Sequence, residues 1–236
     1  MAARAADRYF YHQGRQPAVR LQSAMEKNRM RVGIFGGTFD PVHLAHLIIA
    51  EQCREQAQLD QVWFIPAARP PHKQDRTVTP FTHRAEMLAL ALAGNPAFRI
   101  DELEKDRAGS SYTVDTLVEL RRQHADVDFW LILGSDCLPD LPHWREPARI
   151  AELAGFIVWE RPGWPSCPAE KLQAALGLPA DKTIRFCLAR GPLVDISSSD
   201  LRQRAAHGRS LRYLVPRAVD CYIETHHLYQ SVVRSP

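Results

Sequence analysis

The sequence has no long apolar run. None of its 236 residues belong to a stretch approaching the roughly 20 apolar residues that span a bilayer, which argues against a transmembrane helix. An apolar h-region near the N-terminus is missing too, so no secretory signal peptide is expected. Cysteine is sparse. The five, Cys53, Cys137, Cys167, Cys187 and Cys221, are odd in number, widely spaced and without a C-x-x-C pair. A disulfide framework and a cysteine-built zinc site are both disfavoured, leaving reduced thiols packed as small hydrophobes in a cytoplasmic protein. Charge of one sign is scarce: 30 Lys and Arg face 27 Asp and Glu, a formal excess of +3. With basic residues dispersed and no RNA-binding motif, neither a nucleic acid nor a membrane is an expected partner. Beyond residue 30 there is no internal repeat and no low-complexity linker. What remains, 45% hydrophobic and 24% charged, is a globular composition.

Residues 1–29 show no sustained hydrophobic period and read as a poorly ordered N-terminal extension. From Met30 onward, short apolar runs alternate with helical patterns. Strands are expected at 31–35, 61–65, 98–100, 127–133, 155–159 and 184–188. Helices are expected from Pro41, with Leu44, Leu47 and Ile48 on one face, then over 84–93, 113–124, 198–206 and 216–225. The third of these aligns Val114, Leu117, Val118 and Arg121. Alternating strands and helices imply an α/β fold: a Rossmann-like, doubly wound parallel sheet with helices on both faces, one catalytic domain over residues 30–236. In such folds ligands bind beyond the carboxyl ends of the strands, at the topological switch point.

The unusual residues fall at those ends. Gly36 and Gly37 close the first strand and lead through Thr38, Phe39 and Asp40 into a helix. Glycines let a backbone approach a ligand, and a helix start favours anions. Neither the GxGxxG fingerprint nor a Walker P-loop is present. His43 and His46, three residues apart, can donate hydrogen bonds to phosphoryl oxygens, and no nearby acid or cysteine completes a metal site around them. At the start of a later helix, the hydroxyls of Ser197, Ser198 and Ser199 can cap the helix or meet phosphate, and Arg202 can fork onto a phosphate. Lys73 sits in a proline-rich loop that can carry a cation to an anion. Asp136 follows Gly134 at a strand end, where a carboxylate can accept from a ribose hydroxyl or meet a hydrated ion. Tyr112 and Thr113 open a helix, and Trp144 offers a stacking face.

The segment GGTFDPVHLAH resembles the (T/H)xxH signature of the nucleotidyltransferase superfamily, with Ala45 where its members usually carry glycine. ISSSDLR resembles the superfamily's ISSTxIR signature. PxxxPPHK, SYTxDTL, GxD…LPxW, ERPG and RYLVP are similar, in order, to stretches of bacterial nicotinate-nucleotide adenylyltransferases, and together they span roughly residues 30–230. The resemblance implies adenylyl transfer from ATP to nicotinate mononucleotide, giving deamido-NAD and pyrophosphate. It implies His43, His46 and Arg202 as catalytic residues. Gly36, Gly37, Thr38, Phe39, Lys73, Gly134, Asp136 and Ser197 to Ser199 would hold ATP, and Tyr112, Thr113 and Trp144 the nicotinate moiety. Mg²⁺ would arrive on ATP, with no metal held by the protein itself, and a homo-oligomer is allowed. Adenylyltransferases for nicotinamide mononucleotide or pantetheine phosphate, or an ATP-sensing module without turnover, are the alternatives.

Overall fold

The computed structural model describes residues 29–70, 78–161, 163–164, 168–179 and 181–230. Six strands form one sheet: β1 (Arg31–Gly37), β2 (Gln61–Pro66), β3 (Phe98–Ile100), β4 (Asp128–Gly134), β5 (Gly155–Trp159) and β6 (Phe186–Ala189). Their order is β3-β2-β1-β4-β5-β6, and every pairing is parallel. The order runs outward in both directions from the β1–β4 neighbours, so the switch point lies between the ends of these two strands.

Parallel strands covered on both faces need apolar residues at successive positions, not at alternate ones. Val62-Trp63-Phe64-Ile65 and Phe129 to Leu133 meet that demand, and all of them are buried. Side chains alternate between the faces and so divide the core in two. Val62, Phe64, Ile132 and Ile157 pack with α1 (Leu44–Gln56), α2 (Phe81–Leu92), α6 (Ser198–Ala206) and α7 (Arg217–Thr225). Trp63, Ile65, Leu131 and Val158 pack with α3 (Thr113–Gln123), α4 (Pro147–Leu153) and α5 (Ala169–Ala175). The expected doubly wound sheet is therefore present.

Several local expectations are corrected. The first helix starts at Leu44, not at Pro41, because His43 takes extended angles (φ −145°, ψ 171°) as its N-cap. Its buried stripe is Ala45, Ala50 and Cys53, while Ile48 lines a cavity. Val118 is 43% exposed, since α3 buries Val114, Thr116, Leu117 and Leu120 against the sheet. Arg121 stays on the buried side by giving its guanidinium to the carbonyls of Leu153 and Val127. Two short helices, α4 and α5, were not anticipated; each buries a single hydrophobe, Ile150 or Leu172. Among the described residues the cysteines are free, and burial pushes the Cys53 thiol up to about 12, as expected of inert packed thiols. No helix among the described residues is long and apolar enough to cross a membrane.

Candidate active site

Gly37 and Gly134, the last residues of β1 and β4, are glycines for steric reasons. A Cβ on Gly37 would stand 2.9 Å from the Phe39 ring. A Cβ on Gly134 would stand 2.1 Å from Asp136 Oδ1 and 3.1 Å from Arg161 Nε. Between these ends the chain leaves β1 through Thr38 and turns at Phe39, whose φ of +49° lies in the left-handed region. That conformation is costly for a non-glycine residue and persists only where packing fixes it. Here the Phe39 ring is wedged among Phe35, Phe64 and His46, 5.1 Å from the last. The side chain of Phe39 is thus a support beneath His46, buried in the core.

His43 and His46 come together as the sequence spacing suggests. Their rings stack at 3.7 Å between centroids. His46 Nδ1 accepts the backbone N–H of His43 at 3.2 Å, so the proton of a neutral His46 ring belongs on Nε2. His43 is 5% exposed, and its Nδ1 is buried without a hydrogen-bond partner. Burial, and secondarily the Arg161 cation, hold His43 down at about 4. It is therefore neutral at pH 7.

The second motif is tied directly to the first. Ser198 Oγ donates to the Pro41 carbonyl at 2.9 Å, and Arg202 Nη1 donates to the Asp40 carbonyl at 2.7 Å. Arg202 Nη2 also donates to Ser199 Oγ at 3.3 Å. Ser197 caps α6 by accepting from the Asp200 N–H at 3.1 Å. All three hydroxyls thus have local work, and Arg202 is drawn to the turn before His43. The Asp40 carboxylate is buried, accepting from Tyr229 Oη at 2.7 Å and from the Thr79 N–H at 3.3 Å.

At the other edge of the switch point, Asp136 follows Gly134 in a 3-10 turn (Ser135–Cys137) and pairs with Arg161 at 3.2 Å. Its Oδ1 is buried with no hydrogen-bond partner. Two cavities open beside this assembly. The smaller, about 120 Å³, is bounded by Gly36, Gly37, Glu104, Ser111, Thr113, Thr116 and Trp144. Tyr112, the N-cap of α3, does not line it but stands in the chain between the lining residues Ser111 and Thr113, with Arg145 5.1 Å above its ring. The larger, about 390 Å³, is bounded by Ala45, Ile48, Trp159, Arg161, Trp164 and residues 192–197. Lys73 lies outside the described residues.

Three groups at the site were given no role from the sequence, though Arg161 lies in the ERPG stretch. Arg161, just past the end of β5, pairs with Asp136 and bears on His43. Glu104 is a buried carboxylate in the smaller cavity. Arg84 is 1% exposed and donates to the carbonyls of Thr38 (2.8 Å), Ala67 (2.9 Å) and Thr79 (2.8 Å), bracing three segments around the first loop.

The cytidylyltransferase-like family model matches residues 34–204. A protein of Thermomicrobium roseum named "Probable nicotinate-nucleotide adenylyltransferase" is 48% identical over 202 residues, covering 86% of this chain and 92% of that protein. The protein of the same name from Thermus thermophilus is 45% identical over 201 residues, covering 85% and 100%. The chain belongs to the nicotinate-nucleotide adenylyltransferase family. Among solved structures, a Plasmodium falciparum nicotinic acid mononucleotide adenylyltransferase complexed with NaAD superposes with a TM-score of 0.68. It is 22% identical and covers 84% of this chain and 97% of that one. At that identity the match concerns the fold alone. In this member of the nicotinate-nucleotide adenylyltransferase family, the GGTFDPVHLAH segment runs from the end of β1 into α1, and ISSSDLR opens α6.

Proposed function

We propose that this chain joins ATP and nicotinate mononucleotide to give deamido-NAD and pyrophosphate, and that it does so at the β1–β4 switch point. One observation carries the reading. The stacked His43–His46 pair and Arg202 converge on one turn, whose neighbours Gly36 and Gly37 line one cavity and Ala45 and Ser197 another. The substrate phosphate already supplies an anionic oxygen, so no covalent nucleophile is required of the protein. That oxygen attacks the α-phosphorus of ATP in line. A new P–O bond forms as the bond to the β-phosphate oxygen breaks, and pyrophosphate leaves with the electron pair. Catalysis is then positioning and stabilisation of developing charge.

In this reading His46 Nε2–H donates to the α-phosphate. The neutral His43, stacked on it, fixes its plane. Arg202, with Lys73 from the loop after β2, meets the β- and γ-phosphates. Thr38, Gly36 and Gly37 line the phosphate path, with Phe39 shaping it from below, and Ser197 to Ser199 hold α6 and Arg202 against the first loop. Gly134 and Asp136 face the sugars. Tyr112, Thr113 and Trp144 receive the nicotinate ring in the smaller cavity, and the larger cavity receives the adenosine. The substrate is MgATP, its Mg²⁺ arriving on the triphosphate. Among the described residues no group of three or more His, Cys, Asp or Glu is disposed to hold an ion. The segment expected as an N-terminal extension lies, up to residue 28, outside the described residues.

Parallel assays with nicotinate mononucleotide and nicotinamide mononucleotide test the proposal. Deamido-NAD and pyrophosphate should form in equal amounts, with the acid strongly preferred. Preference for the amide would reassign the substrate. Tight ATP binding without pyrophosphate release would make the chain a sensor and end the enzymatic reading.

A further inference from the structure

The smaller cavity presents a problem if it receives an anion. Among its described lining residues only Glu104 is charged, and it carries the same sign as a nicotinate carboxylate. The Glu104 side chain is 7% exposed, so solvent screens it poorly. It is nonetheless well integrated. Thr116 Oγ1 donates to Glu104 Oε1 at 2.5 Å, and the Ala68 N–H reaches Oε2 at 3.4 Å. Arg107 stands behind this arrangement. It does not line the cavity, but it pairs with Glu104 at 4.0 Å and donates to Thr116 Oγ1 at 2.9 Å. The Arg107 side chain is 19% exposed. The hydroxyl of Thr116 thus relays between cation and anion, accepting from one and donating to the other. Among the described residues Arg145 is another cation nearby, but it is half exposed and engaged with Asp115 at 3.3 Å, where water screens it.

We propose that Arg107 is a specificity-determining residue: by neutralising Glu104 directly and through Thr116, it makes the smaller cavity tolerant of a carboxylate-bearing pyridine. The proposal rests on the functional reading above, and it adds the origin of the acid preference at that site. Glu104 stays because it ties Ala68 after β2 to Thr116 in α3, keeping the cavity walls together. Arg107 removes the electrostatic penalty of having it there. The amide substrate has the same size and no charge, so it should be nearly indifferent to Arg107. A merely structural role would affect both ligands alike.

The test is titration calorimetry of the full chain with nicotinate mononucleotide and nicotinamide mononucleotide. Arg107→Met should weaken acid binding by roughly tenfold or more, since an uncompensated like charge now faces the ligand. The amide should change by less than about twofold, because it carries no ring charge to repel. Arg107→Lys should keep the acid affinity, and Glu104→Gln should tighten the acid relative to the amide. The double variant Glu104→Gln/Arg107→Met should recover the acid-to-amide ratio, because no unpaired charge is left. Equal weakening of both ligands in Arg107→Met, or no recovery in the double variant, overturns the proposal. If Arg107→Met does not fold, Glu104→Gln decides: a loss of acid affinity relative to the amide overturns it. A wild-type chain that binds the amide but not the acid refutes the functional reading itself, a result seen before any variant is made.

Discussion

Arg84 offers the most demanding check on how the site is held. Its guanidinium is buried and gives charge-assisted hydrogen bonds to three carbonyls, those of Thr38, Ala67 and Thr79, at 2.8 to 2.9 Å. Burial pulls it below its ordinary value, and the Asp40 carboxylate leads the opposing influences. Replacing it with methionine fills most of the volume but leaves three part-buried carbonyls without these donors. Each such loss costs about 1–3 kcal/mol, a gross penalty of roughly 3–9 kcal/mol. Removing a buried ion relieves several kcal/mol of desolvation, so a net loss of about 3 kcal/mol is expected. Urea unfolding followed by fluorescence reads this as a lowered midpoint at an unchanged slope. One of the carbonyls belongs to Thr38, on the proposed phosphate path, so the KM for ATP should rise in the folded variant. A loss below about 1 kcal/mol with an unchanged KM would refute the argument that Arg84 braces the first loop.

Other substitutions probe the neighbouring contacts. His43 is held at about 4 against an ordinary 6.5. Between those values the unfolded chain binds a proton that the folded chain refuses, so stability falls as pH drops through this window, by up to about 3 kcal/mol. His43→Gln should flatten that part of the pH–stability curve in chemical unfolding. Arg161→Gln removes a cation that depresses His43 and should raise the His43 value, followed by NMR titration of the ring. Gly134→Ala places a methyl against Asp136 and Arg161 and should lower turnover at least tenfold with little change in thermal midpoint, as a 1 Å misplacement of positioning groups does.

Much of the sheet was legible because buried parallel strands are nearly continuous apolar runs. Phe129 to Leu133 and Phe156 to Trp159 announce themselves in that way. The boundaries drifted by one or two residues, as at 184–188 against Phe186–Ala189. Short helices were not legible: Pro147–Leu153 and Ala169–Ala175 each bury only one hydrophobe, too little to set a period. At the candidate site, the glycines and histidines stood out because their chemistry is unusual after a strand, and the serines because they open a helix. The bracing residues were not, since an arginine or glutamate reads as solvated until its partners are known. Arg84 did carry a signal. It falls on the same stripe as Met87 and Leu88, where a charge must find partners or be excluded. Arg161 carried another, its place in the ERPG stretch two residues beyond the end of β5. Glu104 and Arg107 carried none, because their meaning depends on Thr116, nine or more residues away in the chain and adjacent only in the fold.

The central claim is that phosphoryl chemistry occurs at His46. Its most direct test is turnover by purified His46→Ala with saturating MgATP and nicotinate mononucleotide, with folding confirmed by circular dichroism. Loss of one positioned donor to developing charge should lower kcat by about 10²–10³-fold. A folded variant that releases pyrophosphate and deamido-NAD at the wild-type rate would contradict the account.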